Sequence, residues 1–99
     1  MVSEEPKKWH LCLYVAGDKQ TADNSVGLLK QICEENIAGK YEIEVFDIMA
    51  NPQIALEENI IATPYLIKKR PPPKRKLIGE LTDKARLLRG IGIENNPDL

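Results

Sequence analysis

Three residues in this chain could do covalent or metal chemistry: the cysteines Cys12 and Cys33 and the single histidine His10. Redox dithiols need Cys-x-x-Cys, and zinc sites need cysteine and histidine pairs a few residues apart. His10, Cys12 and Cys33 make neither pattern, so no metal site and no cofactor is expected. A reactive thiol needs a depressed pKa, ideally at a helix N-terminus. Cys12 falls inside an apolar run and Cys33 well along a helical pattern, so both read as small apolar core residues in a reducing compartment. His10 reads as a strand-end residue. Ala16-Gly17-Asp18 has one glycine where nucleotide-binding fingerprints need several. These absences point to binding rather than catalysis.

The other chemical feature is electrostatic. Lys68-Lys69-Arg70 and Lys74-Arg75-Lys76 flank Pro71-Pro72-Pro73. Such a run is most often a solvated loop, next an electrostatic protein contact, and least often a nucleic-acid site. The net charge of −1, with 29% charged residues, creates no overall field toward nucleic acid or a membrane. Met1 to Lys8 lacks the hydrophobic core of a signal peptide, and no apolar run approaches the roughly 20 residues of a membrane span. A cytoplasmic protein is expected.

At 99 residues, 42% of them apolar, the chain is sized for one domain with a modest core, and oligomerisation is a natural way to add burial. Residues 1–8 read as a flexible arm, 9–93 as the domain and 94–99 as a flexible tail. Trp9 to Val15 reads as a buried central strand. Asn24 or Ser25 is expected to cap a helix whose apolar face is Val26, Leu28, Leu29, Ile32, Cys33 and Ile37, ending before Gly39. The alternation over 41–46 predicts a strand with one polar face, and strand-helix-strand within about forty residues predicts a parallel βαβ unit. Asn51-Pro52 predicts a short helix start, Tyr65-Leu66-Ile67 a strand, the triple proline a turn, and Lys76-Leu77-Ile78 a strand pairing back. Thr82 is expected to cap a last helix with Asp83 at its positive end and Leu87, Leu88 and Ile91 on its buried face. Gly90 and Gly92 weaken the end of that helix, and 60–81 could pair in more than one register. A Thr63-Pro64 step leading into a strand, in an α/β chain that opens strand-then-helix, is the layout of the thioredoxin fold, here without its dithiol. A thiol or peroxide enzyme on that scaffold is therefore the minor alternative.

Leu13-Tyr14-Val15-Ala16-Gly17, Asn24-Ser25-Val26, Asp47-Ile48-Met49-Ala50-Asn51-Pro52-Gln53, Ile61-Ala62-Thr63-Pro64, Pro71-Pro72-Pro73 and Ile78-Gly79-Glu80-Leu81-Thr82 together resemble the KaiB family of circadian clock proteins, over roughly residues 8–93. The resemblance implies a metamorphic chain: a thioredoxin-like N-terminal βαβ half that persists, and a C-terminal half that differs between a tetrameric ground state and a monomeric thioredoxin-like, partner-bound state. It implies no catalytic site. It implies binding to the hexameric ATPase and kinase KaiC and modulation of its phosphorylation cycle, recruitment of KaiA, and competition with the sensor kinase SasA. Partner contacts carry over onto Lys68, Arg75 and Lys76, and fold switching onto Pro64, Pro71, Pro72, Pro73, Gly90 and Gly92. X-Pro isomerisation, with barriers of about 18–20 kcal/mol, makes switching slow. Two packings interconvert when they differ by a few kcal/mol. Gly27 replaces a family arginine, the 18–23 loop looks longer than in the clock proteins, and Gly90-Ile91-Gly92 departs from Gly-Leu-Asp. These departures imply a homologue outside the cyanobacterial oscillator, with a stress or timing role. A stable tetrameric stress-response adaptor that never binds KaiC is the alternative.

Overall fold

The computed structural model describes residues 8–17, 19–79 and 81–93. The expected tail 94–99 and, apart from exposed Lys8, the expected arm 1–8 lie outside the described residues.

The chain order is β1 (Trp9–Val15), α1 (Lys19–Ile37), β2 (Tyr41–Asp47), α2 (Pro52–Glu57), β3 (Tyr65–Arg70), β4 (Arg75–Ile78) and α3 (Lys84–Ile91). One four-stranded sheet is ordered β2-β1-β3-β4. β1 runs parallel to β2, in register Trp9↔Tyr41 through Val15↔Asp47, and antiparallel to β3. β3 and β4 form the expected hairpin, pairing Tyr65↔Ile78 through Lys68↔Arg75. Of the two arrangements implied by the resemblance, this is the thioredoxin-like one.

Successive strand residues point to opposite faces, and β1 is apolar on both. Trp9, Leu11, Leu13 and Val15 join Leu66 and the inner sides of α1 and α3 in the larger core. Cys12 and Tyr14 join Tyr65 and Ile67 on the other face, where Ile54 of α2, Ile60, Phe46 and Ile48 partly cover them. The Tyr14 and Phe46 rings stack there with centroids 5.3 Å apart. β2 at the sheet edge keeps Glu42, Glu44 and Val45 exposed, as its alternating pattern predicts for all but Val45.

Two predicted boundaries move. α1 starts at Lys19, so Asn24 and Ser25 lie inside the helix rather than capping it, and 19–23 is helix rather than loop. Ala22 and Val26 pack against the core one turn apart, Ser25 is buried between them, and the Lys19–Asp23 ion pair at i,i+4 spans the first turn. Apolar spacing thus extends the helix back past the capping residues. In α3 the cap is Asp83, not Thr82: its Oδ1 accepts from Ala85 N–H at 3.0 Å and Arg86 N–H at 3.3 Å. A carboxylate there also meets the positive end of the helix, which a threonine hydroxyl does not.

Gly92 ends α3 in the left-handed conformation, φ 86°, which disfavours any side chain. Gly90 is a packing glycine. A Cβ there would lie 3.0 Å from both terminal carbons of Leu77, so its absence lets α3 close onto β4. The Thr63-Pro64, Arg70-Pro71 and Pro72-Pro73 bonds are cis.

Gly27 sits exposed in the middle of α1, and a Cβ added there meets nothing within 4 Å. Gly27→Ala is therefore expected to stabilise the protein by about 0.5–1 kcal/mol, the helix-propensity difference. Chemical denaturation followed by far-ultraviolet circular dichroism measures it, and an unchanged midpoint would show that α1 gains nothing from the lost backbone freedom.

Candidate functional site

The basic hairpin divides by strand parity. Lys68 lies on the same face as Leu66 and is only 3% exposed. Its ammonium sits 5.1 Å from the centre of the Trp9 ring, within cation–π range. A Cβ at Gly92 would come 3.6 Å from the Lys68 ammonium and 3.1 Å from Arg75 Nε, so both cations gather at the C-terminal end of α3, where the helix dipole favours positive charge. Burial, and then the neighbouring charge of Arg75, lower the Lys68 pKa from its ordinary value. In this arrangement Lys68 is a core cation and not a surface contact. The sequence offers no sign of this, because a lysine in a basic run reads as solvated until strand pairing turns it inward.

Arg75 and Lys76 are exposed on the outer strand β4. As neighbours on a strand they present to opposite faces. The predicted trio is therefore one buried cation and two exposed ones. Pro72 and Pro73 are exposed beside them, and Lys69 is paired with Glu58 at 3.3 Å. Among the described residues Met49, Leu56 and Ile61 are the most exposed large apolar side chains, at 71%, 79% and 84%.

The thiols lie on opposite sides of the sheet. Burial, reinforced by the Glu34 carboxylate, pushes the Cys33 thiol from 9.0 up to about 12. Burial also raises Cys12, against the pull of the Lys69 ammonium and a hydrogen bond with Tyr14. Neither has the electropositive, accessible setting of a nucleophilic thiolate.

Strand pairing also makes a cluster that spacing along the chain does not show. Cys12 pairs directly with Glu44, and His10 is two residues back on the same face of β1. His10 Nε2 is 2.8 Å from Glu44 Oε1, and Cys12 Sγ is 3.6 Å from His10 Nε2 and 3.8 Å from Glu44 Oε1. The hydrogen bond with His10 is the main reason the Glu44 carboxyl stays below its usual range. Cys33 lies on the other side of the sheet from His10 and Cys12, and Glu44 is the third group of the cluster. Only the register of the parallel βαβ unit could have found it.

With this geometry in view, the KaiB domain family matches residues 12–93. The chain belongs to the KaiB family. It is 44% identical to the circadian clock oscillator protein KaiB of Microcystis aeruginosa over 87 residues, which are 88% of this chain and 84% of that protein. It is 42% identical to the circadian clock oscillator protein KaiB1 of Synechocystis over 87 residues, 88% of this chain and 83% of that one. Among solved structures it is similar to the N-terminal domain of SasA from Synechococcus elongatus, with a TM-score of 0.74 and 22% identity over 93% of this chain and 90% of that one. It is also similar to chloroplastic thioredoxin z, with a TM-score of 0.69 and 19% identity over 90% and 80% of the two chains. At these identities the structural likeness is one of fold. This KaiB family member thus has the thioredoxin-like fold with both thiols buried. Among the described residues no helix is long and apolar enough to cross a membrane.

Two outcomes follow. Because folded Cys33 keeps its proton to about 12 and an unfolded thiol loses it near 9.0, the folded state binds the extra proton between these values. Its contribution is full below pH 9 and is lost as pH rises toward 12. Cys33→Ala should decline less steeply than wild type across that window in urea melts, and parallel slopes would remove Cys33 as a cause. Separately, Lys68→Ala deletes a buried stem lying on Trp9 and should cost roughly 1–3 kcal/mol, with a shift in Trp9 emission. Arg75→Ala and Lys76→Ala, at exposed positions, should stay within about 0.5 kcal/mol. Equal effects at all three would contradict the buried placement of Lys68.

Proposed function

We propose that this protein is a non-enzymatic, cytoplasmic regulator that docks on a KaiC-type hexameric ATPase and modulates its phosphorylation cycle. The observation that carries the reading is the family match over residues 12–93 in a chain whose C-terminal half has the thioredoxin-like arrangement. That fold is shared with the SasA N-terminal domain, which supports competition for a common docking surface. The non-enzymatic reading draws support from the two buried thiols with raised pKa values. In the free state the chain forms a homotetramer, with the C-terminal half repacked about Pro64, the triple proline, Gly90 and Gly92. In the complex it is a ring-bound monomer, able to recruit a KaiA-like partner.

Arg75 and Lys76 are the surface cations that meet the acidic ring of the partner. Lys68 works from inside, holding β3 against Trp9 and adding positive charge behind Arg75. Size-exclusion chromatography with light scattering on the protein, alone and after a day with the host's KaiC-like ATPase and ATP, tests the reading. A tetramer that converts into a ring-bound monomer is expected, and a tetramer that ignores the ATPase would favour the adaptor alternative. The double reversal Arg75→Glu, Lys76→Glu should weaken binding on the order of a hundredfold, as for two charge-assisted hydrogen bonds worth roughly 1.5 kcal/mol each. Undiminished binding would remove both residues from the contact.

A further inference from the structure

We propose that Cys12 Sγ, His10 Nε2 and Glu44 Oε1 form a binding site for a divalent transition-metal ion, zinc being the best match, on the β1–β2 pair. The three donor atoms all lie within 4.8 Å of one another. Around tetrahedral zinc, bond lengths of about 2.3 Å to sulfur and about 2.0–2.1 Å to nitrogen and oxygen require sulfur-to-nitrogen and sulfur-to-oxygen separations of about 3.6 Å, and nitrogen-to-oxygen of about 3.3 Å. The observed separations are 3.6, 3.8 and 2.8 Å. Two edges of the triangle already have the size an ion needs. The third is a hydrogen bond between two partly exposed side chains, and it opens by about half an ångström when the metal takes the place of the shared proton.

The donor types agree with this choice. One thiolate, one imidazole and one carboxylate suit zinc, whereas magnesium and calcium favour oxygen ligands alone. A thiolate and a carboxylate together balance the charge of the ion once the thiol proton leaves to solvent and the imidazole carries its proton on Nδ1, which frees Nε2 for the metal. Three protein ligands leave a fourth position for water, and the side chains of His10 and Glu44, 26% and 45% exposed, leave that side accessible.

The supporting groups are also in place. Cys12 and Glu44 are held opposite each other by the parallel register, so the site needs no loop to order it. Tyr14, Tyr65 and Ile67 pack around Cys12 and fix its side chain in place. Lys69 is a nearby cation whose charge is countered by Glu58 at 3.3 Å, and β3 places Arg70 opposite His10. All three ligands belong to β1 and β2, so every donor comes from the βαβ half of the chain.

The test uses the full chain, reduced and freed of metal with a chelator, titrated with zinc against a chromophoric competitor and separately with cobalt. One zinc per chain is expected, with a thiolate-to-cobalt charge-transfer band. Cys12→Ser should abolish the band, His10→Gln and Glu44→Gln should each weaken zinc binding by about tenfold to a hundredfold or more, and Cys33→Ala should leave both signals unchanged. His10 and Glu44 are outside the core, so their glutamine variants report on the site even if Cys12→Ser perturbs packing; circular dichroism checks each fold. Absence of the band in wild type, or zinc affinity unaltered in both glutamine variants, would overturn the proposal and leave a hydrogen-bonded histidine–carboxylate pair beside a buried thiol.

Discussion

The structure depends on one strand that is buried on both faces. β1 is flanked by β2 and β3, covered by α1 and α3 on one side and by α2 on the other, and from Leu11 to Tyr14 no residue is more than 1% exposed. Each such side chain contributes roughly 1.5–3 kcal/mol by leaving water. A shift of one residue would exchange the occupants of the two faces, putting Leu11 and Leu13 where Cys12 and Tyr14 are. The register of β1 therefore decides which side of the molecule every strand residue meets.

The two faces differ in how firmly they are covered. On the first, α1 and α3 bury Leu29, Ile32, Cys33, Ile37, Leu87 and Ile91, and Gly90 lets α3 approach Leu77. On the second, no residue of α2 is buried, and only Ile54 of that helix packs against the Cys12–Tyr14 cluster. Elements with little buried apolar surface open at low free-energy cost. The lightly held helix α2 lies in the C-terminal half, where the proposed function needs repacking.

β1 also ties the polar features to the core. Its odd-numbered side includes Trp9, whose ring receives the Lys68 ammonium; its even-numbered side presents His10 and Cys12 to Glu44. A lysine can be buried beside Trp9 because a ring face attracts a cation and the end of α3 supplies partial negative charge. The cation is thus a structural part of the hairpin's attachment, while Arg75 on the neighbouring strand is exposed.

Most of the architecture was legible in the residues. Apolar runs and alternation located β1, β2, β3 and β4; Pro52 marked the start of α2; and Thr63-Pro64 before a strand indicated the thioredoxin-like layout. The beginning of α1 was misplaced because capping residues also occur inside helices, and core contacts of Ala22 and Val26 outweigh a local cap at Asn24 or Ser25; the cap of α3 lies one residue on, at Asp83, whose carboxylate meets the positive end of the helix. The candidate site was less legible. The sequence by itself determined the family, the order of the elements, and the lack of a dithiol after β1, since all three are written in residue type and spacing along one chain. Only the tertiary structure decided that Lys68 is inside while Arg75 and Lys76 are outside, and that Glu44 stands beside Cys12 and His10. Those facts depend on which strand pairs with which and in what register, and pairing brings together residues more than thirty positions apart whose relation no local pattern encodes.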